Sequence, residues 1–150
     1  MEEKKIETIK QTAEKLFNLL QIEGTVSASG SEDGASVVLE TEDGGMVIGH
    51  HGETLDALQL VLSLVIAKEL GEFVRVSLEV GDYRKSREEY LKGLAQSSKE
   101  RALAEGRDIT LPMLKPWERR IIHLMLQDDN EVLSESIGEG KERVLVVRPR

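Results

Sequence analysis

The chain has 150 residues, enough for one medium domain or two small ones, and a formal net charge of −8. Hydrophobic residues make up 39% of the chain and aromatic residues 3%, so the core must be aliphatic and a surface of many stacked aromatic rings is not expected. The absence of cysteine excludes disulfides, thiolate zinc sites and a cysteine nucleophile. Charged residues follow Met1, and the longest apolar run, residues 60–67, is too short to span a bilayer. We therefore expect no integral membrane segment, and the lack of cysteine suits a reducing cytosol.

The acidic charge is concentrated in the first half of the chain. Residues 1–80 hold 6 Lys and Arg against 15 Asp and Glu, a net charge of −9. Residues 81–150 hold 14 Lys and Arg against 13 Asp and Glu, a net charge of +1. A surface that binds phosphate is therefore expected in the second half, or in a local patch of the first.

The first half predicts three helices and three strands. Apolar residues recur at helical spacing in residues 3–21, and they alternate with polar residues in 73–80. Glycine-rich stretches predict a hairpin loop at 30–34 and the end of the second strand at 42–45. The predicted elements are a helix at 3–21, strands at 25–29 and 35–41, a short helix before Gly49, a helix from Glu53 to Leu70, and a strand at 73–80.

A Gly-x-x-Gly turn, Gly49-His50-His51-Gly52, lies between the short helix and the long one. Its glycines allow close approach of a phosphate, and the helix that follows directs backbone N–H groups to the same place. In this element order the loop resembles that of type II KH domains, where it binds the backbone of single-stranded nucleic acid. The resemblance implies an RNA site formed by Ile48, Gly49, His50, His51, Gly52 and Leu55.

The second half predicts the order αβαββ. A long helix ends at Gly106, and Pro116 is suited to the first turn of the next helix because it lacks an N–H that would need a partner. The predicted elements are a helix from about 82 to 105, a strand at 108–111, a helix from Pro116, and a terminal hairpin of strands at 132–137 and 142–148.

Arg119 and His123 are four residues apart, so they share one face of the predicted helix. Arginine offers a planar set of phosphate donors, and the charge of histidine switches near neutral pH. The pair resembles the single-stranded nucleic-acid-binding module that is named for an Arg and a His separated by three residues. We expect Arg119, Arg120 and His123 to contact phosphate and Trp117 to stack on a base.

Together the two motifs resemble the bacterial Jag family, also called KhpB or SpoIIIJ-associated protein. The resemblance rests mainly on residues 47–59 and 111–123, with Ser136, Gly138, Glu139 and Arg143 in the closing hairpin. It implies an α+β fold with a type II KH-like domain (αββααβ) at 1–80 and an Arg-x-x-x-His-type domain (αβαββ) at 81–150. It further implies a cytoplasmic regulator of RNA linked to cell elongation and division. The implied partners are single-stranded RNA, a small KH companion protein and a YidC/SpoIIIJ-type insertase, with single-stranded DNA left open.

The sequence departs from the family at His50 and His51, where Lys and Arg are usual. This loop therefore lacks fixed positive charge, and the acidic first half favours an alternative function as a protein-interaction adaptor that does not use the loop for RNA. Catalysis is not expected, because no nucleophile–base pair is evident, and no metal site or cofactor is predicted.

Overall fold

The computed structural model describes residues 1–150, which form two compact units, Met1–Tyr83 and Arg84–Arg150. Both units combine helices with a three-stranded sheet, so the predicted α+β class with two small domains is confirmed. None of the helices is both long enough and apolar enough to cross a membrane.

The first unit has the predicted order αββααβ. Its sheet has the strand order β1-β2-β3, with β1 antiparallel and β3 parallel to β2. The parallel connection from β2 to β3 passes through two helices, as a crossover requires. The elements are α1 (Glu3–Leu19), β1 (Thr25–Ser31), β2 (Gly34–Glu40), α2 (Gly44–Ile48), α3 (Glu53–Leu70) and β3 (Val76–Val80).

The core of the first unit lies between its sheet and the helices α1 and α3. On α1, Ile9, Ala13 and Phe17 follow at four-residue intervals, so they form one buried stripe. Burying each large apolar side chain contributes roughly 1.5–3 kcal/mol. The other buried apolar side chains on strands and helices include Val37, Leu39, Val47, Leu58, Leu62, Ile66, Val76 and Leu78.

Two glycine-rich stretches are more ordered than the sequence predicted. Strand β1 continues to Ser31, which pairs with Gly34, so the hairpin loop has two residues rather than five. Gly34 has no room for a Cβ, because that atom would meet the Arg75 carbonyl oxygen. The stretch 42–45 follows the end of β2 at Glu40, as predicted, but Gly44 and Gly45 already begin α2, where the Asp43 carbonyl accepts the first helical hydrogen bonds.

The second unit has the predicted order αβαββ. Its sheet is antiparallel with strand order β4-β6-β5, and the strands β5 and β6 form the predicted terminal hairpin. The core packs α4 and α5 against this sheet through residues such as Leu91, Ala95, Ile122, Leu145 and Val147. The elements are α4 (Tyr83–Glu105), β4 (Ile109–Leu111), α5 (Pro116–Leu126), β5 (Val132–Ile137) and β6 (Val144–Pro149).

A polar contact at Asp129 joins α4 to the turn before β5. One carboxylate oxygen of Asp129 accepts hydrogen bonds from the backbone N–H groups of Glu131 and Val132, at 2.8 and 3.1 Å. The other lies 2.6 Å from Nζ of Lys99. The hydrogen bond from Lys99, followed by those from the backbone, lowers the pKa of Asp129, and the same contact raises the pKa of Lys99. The negative form of Asp129 therefore stabilises the turn.

Candidate nucleic-acid interfaces

The Gly-x-x-Gly loop reverses the chain between α2 and α3 through left-handed backbone conformations. Gly49 ends α2 with φ 71° and ψ −171°, and Gly52 precedes α3 with φ 77° and ψ 15°. A Cβ on Gly49 would collide with the Thr54 side chain, so glycine is required there for two reasons. His51 also has positive φ, at 51°, an unusual conformation for a residue with a side chain.

The two histidines of the loop are exposed and lie against each other. Their ring centroids are 3.9 Å apart and the ring planes differ by 28°. The first turn of the following helix carries Glu53 and Asp56, whose negative charges oppose a phosphate at the same helix N-terminus. The basic side chains within the loop are those of His50 and His51.

The predicted apolar residues beside the loop differ in exposure. Ile48, the last residue of α2, is half-buried and packs against the core of the first unit. Leu55 is only 8% exposed and belongs to that core. Its main observed contacts are therefore with the core, and Ile48 offers more surface to a base than Leu55 does.

In the second unit, a buried carboxylate fixes the start of α5. Glu118 is fully buried, and its Oε1 accepts a hydrogen bond from the backbone N–H of Lys115 at 2.9 Å. Its Oε2 accepts from Nε of Arg87 on α4, at 2.5 Å. Glu118 thus closes the N-terminus of α5 and connects it to α4, and its partner is Arg87 rather than the neighbouring Arg119.

Arg119 and His123 lie one turn apart on α5, as predicted, and each has a hydrogen bond that restrains its side chain. Nη1 of Arg119 donates to the Leu114 carbonyl at 2.5 Å. Nδ1 of His123 lies 2.8 Å from the Ser134 hydroxyl oxygen on β5. Neither contact uses a carboxylate, so the charge of the arginine is not neutralised by these bonds.

These two residues line a cavity with a volume of about 260 Å³. The titratable groups that line it are all basic. The hairpin between β5 and β6 supplies Ser136 from one strand and Arg143 from just before the other. The turn between them needs Gly138, at φ 94°, because a Cβ would meet the backbone of Glu142 and Arg143 at 3.3–3.4 Å. We call this surface the basic cavity; its lining residues are Pro116, Arg119, Arg120, His123, Ser136 and Arg143.

Ser136 and Arg143 were not among the site residues predicted from the sequence, although both were noted in the closing hairpin. The signal that could have found them is the register of that hairpin, in which Ile137 pairs with Val144. This pairing places Ser136, which precedes Ile137, and Arg143, which precedes Val144, at the same end of the sheet. Only the packing of the hairpin against α5 shows that this end adjoins Arg119 and His123.

Trp117 lies outside the lining of the basic cavity. Its ring is half-buried and packs against the core of the second unit. The guanidinium carbon of Arg84 is 5.9 Å from the ring centroid, within the range of a cation–π contact. Part of the ring surface is therefore already used within the protein.

Comparison with known proteins identifies both units. The family model of the KhpA/KhpB KH domain matches residues 6–80. The model of the Arg-x-x-x-His domain, whose name abbreviates an arginine and a histidine with three residues between them, matches residues 89–149. The chain is 34% identical over 147 residues to RNA-binding protein KhpB of Clostridium symbiosum, an alignment that covers 98% of this chain and 65% of the relative.

Other relatives match this chain over part of their length. RNA-binding protein KhpB of Lactiplantibacillus plantarum is 34% identical over 116 residues, covering 77% of this chain and 36% of the relative. The protein of the same name from Bacillus subtilis is 32% identical over 108 residues, covering 71% and 52%. The chain thus spans less than two thirds of the length of each of these relatives. One domain model matches each unit, and a relative named RNA-binding protein KhpB aligns with 98% of the chain. The chain therefore belongs to the Jag/KhpB family.

Proposed function

We propose that this chain binds single-stranded RNA, and that both units contact the phosphate backbone. The observation that carries the proposal is the basic cavity, where three guanidinium groups and an imidazole converge without a carboxylate. Arginine matches phosphate geometry with paired N–H donors. The relatives named RNA-binding protein KhpB support the same activity.

The Gly-x-x-Gly loop is proposed as the second contact. Its left-handed residues bring backbone near the surface, and the exposed imidazoles of His50 and His51 can donate to phosphate when they are protonated. The net charge of −9 over residues 1–80 opposes this contact. We therefore expect the basic cavity to supply more of the affinity than the loop does.

The direct test is a titration of the full chain with labelled pools of single-stranded RNA and DNA at about 50 and 200 mM salt. Each neutralised phosphate on a single strand contributes roughly 0.7 to the slope of log affinity against log salt. We expect RNA binding that weakens as salt rises, and the DNA pool shows whether the protein also binds a deoxyribose strand. Absence of binding, or binding that salt does not change, would contradict the proposal.

The biological role proposed for this RNA binding is post-transcriptional regulation linked to cell elongation and division, as the family resemblance implies. A strain in which Arg119 and Arg143 are replaced by alanine should then show altered cell length. The control is a strain that carries Arg148→Ala, because Arg148 pairs with Asp108 and Glu135 outside the basic cavity. Equal cell lengths in the two strains would show that RNA binding through the basic cavity is not needed for this role.

A second candidate function is protein interaction through α3. Leu60, Val61 and Leu64 are 62%, 45% and 63% exposed and lie on adjacent turns, so they form an apolar strip that we call the α3 apolar face. We propose that a small KH companion protein binds the α3 apolar face. The two proteins would act by themselves or at a YidC/SpoIIIJ-type insertase. Leu64→Lys should abolish co-elution with that protein and leave RNA binding unchanged. Leu19→Lys on α1 is the control, since Leu19 is another exposed leucine of the first unit, at 82% exposure.

A further inference from the structure

A tyrosine on α4 presents its ring to solvent in the second unit. Tyr90 is 57% exposed and does not belong to the hydrophobic core that packs α4 and α5 against the sheet. Trp117, by contrast, is half-buried against that core, and the guanidinium group of Arg84 lies over its ring. Tyr90 therefore carries the more accessible of the two large aromatic rings in this unit.

One face of the Tyr90 ring is covered by an arginine that is itself held in place. The guanidinium carbon of Arg87 is 4.9 Å from the ring centroid, within the range of a cation–π contact. Nε of Arg87 donates to Oε2 of Glu118, and the two side chains are 10% and 0% exposed. The buried carboxylate thus orients the arginine, and the arginine supports the exposed ring from one side.

The helix surface around Tyr90 leaves room for a ligand on the other side of the ring. Positions four residues before and three residues after a helical residue are its neighbours on the surface, and here they hold Ser86 and Gly93. Both are exposed, and a Cβ on Gly93 would have no atom within 4 Å. Because Arg87 covers one face, the exposed area of the ring lies on its edges and its opposite face, where these small residues do not obstruct a planar group.

We propose that Tyr90 binds an unstacked base of single-stranded RNA on this open face. The inference rests on the proposed RNA binding and adds a base-stacking site on α4. Aromatic side chains stack on the bases of single strands, and every base has a π-face, so the site accepts all four bases. A base is uncharged, so stacking does not need a cationic surface around the ring.

The site is connected to the basic cavity through α5. Only the Arg87 side chain separates the Tyr90 ring from Glu118, and Glu118 directly precedes Arg119, which lines the cavity. A strand whose phosphate lies in the cavity can therefore place a nearby base on Tyr90. The cavity would supply the charge-dependent part of the affinity, and the ring a part that does not depend on charge.

The competing explanation is that Tyr90 only covers the ion pair between Arg87 and Glu118. Three substitutions separate the two explanations. Tyr90→Phe keeps the ring, Tyr90→Leu keeps an apolar side chain over Arg87 but removes the π-face, and Tyr90→Ala removes both. If the ring stacks on a base, leucine fails as alanine does; if it is only a cover, leucine replaces it.

The experiment measures the affinity of the full chain, parent and variants, for a labelled adenylate oligomer at several salt concentrations. Tyr90→Leu and Tyr90→Ala should each weaken binding by roughly five- to a hundredfold, the effect of losing one base stacked on an aromatic ring. Tyr90→Phe should bind as the parent does. The slope of log affinity against log salt should not change in any of them, because stacking releases no counterions. Phe73→Ala is the matched control, since Phe73 is an aromatic residue of the first unit that is 82% exposed, and it should bind as the parent does.

The outcomes that overturn the inference are distinguishable from failure of the proposed function. If the parent binds RNA and Tyr90→Leu binds equally well, the ring does not stack on a base, and RNA binding itself stands. If Tyr90→Phe weakens binding as much as Tyr90→Leu, the hydroxyl is the contact and the stacking inference is wrong. If the parent binds no RNA, both the inference and the proposed function are wrong. Variants that melt at a lower temperature are compared at a temperature where all the proteins are folded, so their affinities still decide.

Discussion

Nδ1 of His123 and the hydroxyl oxygen of Ser134 are 2.8 Å apart, which joins α5 to β5 within the second unit. Ser134 is only 5% exposed, and its backbone lies opposite Val147 in the terminal hairpin. A hydroxyl can donate to a neutral ring nitrogen and accept from a protonated one, so the contact is compatible with both charge states of the histidine. In both charge states this contact uses Nδ1, so Nε2 is the ring nitrogen of His123 that can contact a ligand.

Ser134→Ala should lower RNA affinity by about three- to tenfold, because the imidazole loses the hydrogen bond that orients it. Fluorescence anisotropy with a labelled RNA measures the change. A double-mutant cycle with His123→Ala tests the reason, since removing the hydroxyl should have no further effect once the imidazole is gone. If Ser134→Ala weakens binding equally in both backgrounds, Ser134 does not act through His123.

Arg119→Ala should weaken binding to unrelated RNAs alike and reduce the salt slope by roughly 0.7, as expected for the loss of one phosphate contact on a single strand. Arg148→Ala is the matched control, because Arg148 is an exposed arginine of the same unit that pairs with Asp108 and Glu135. Arg119 also donates to the Leu114 carbonyl, so thermal melting of both variants is needed. A large drop in melting temperature with unchanged affinity per folded molecule would make Arg119 a structural residue only.

The elements of the fold could be predicted from the sequence because each carries a pattern that burial imposes. Leu58, Leu62 and Ile66 lie on the buried face of α3, as their spacing predicts. Alternation predicted a strand from residue 73, yet β3 begins at Val76, because Val76 pairs with Ala35 near the start of β2. The alternation extends to Val74 because that side chain is buried, and burial alone does not create a strand.

The candidate site could be predicted only where its residues belong to one element. Arg119 and His123 were found from helical spacing, which fixes their relative position. Arg143 and Ser134 lie next to residues of another element, so their positions depend on tertiary packing that spacing does not encode. These contacts are the ones that the structure adds.

Replacing both His50 and His51 with Asp should weaken RNA binding, because two fixed negative charges would lie where phosphate is proposed to approach. The control is Ser27→Asp with Ser29→Asp, which adds the same charge to exposed positions of β1 in the same unit. Electrophoretic mobility shift assays of the two double variants should show weaker binding for the loop variant. Equal binding by both would show that the loop does not contact RNA.

Asp129→Asn should destabilise the protein at neutral pH and have little effect in acid. The lowered pKa of Asp129 means that its carboxylate stabilises the fold above the unfolded pKa of about 3.9, and that this stabilisation is lost as the pH falls through the lower folded value. Asparagine keeps an acceptor for the backbone N–H groups but loses the charge that attracts Lys99. The difference in melting temperature between parent and variant should therefore be full at pH 7 and shrink as the pH falls below about 3.9, whereas the exposed Asp128→Asn should match the parent throughout.

Gly49→Ala should destabilise the first unit, whereas Gly45→Ala four residues earlier should not. At φ 71° and ψ −171°, Gly49 occupies a region that other residues reach at a cost of about 1–3 kcal/mol, and the added Cβ would also collide with Thr54. Gly45 lies inside α2 with open space around its Cα, so alanine there should stabilise the helix by up to about 1 kcal/mol. Urea denaturation of the two variants measures both effects. Equal stabilities would mean that the loop adopts a different backbone in solution, and the proposed approach of phosphate to Gly49 would then lose its geometric basis.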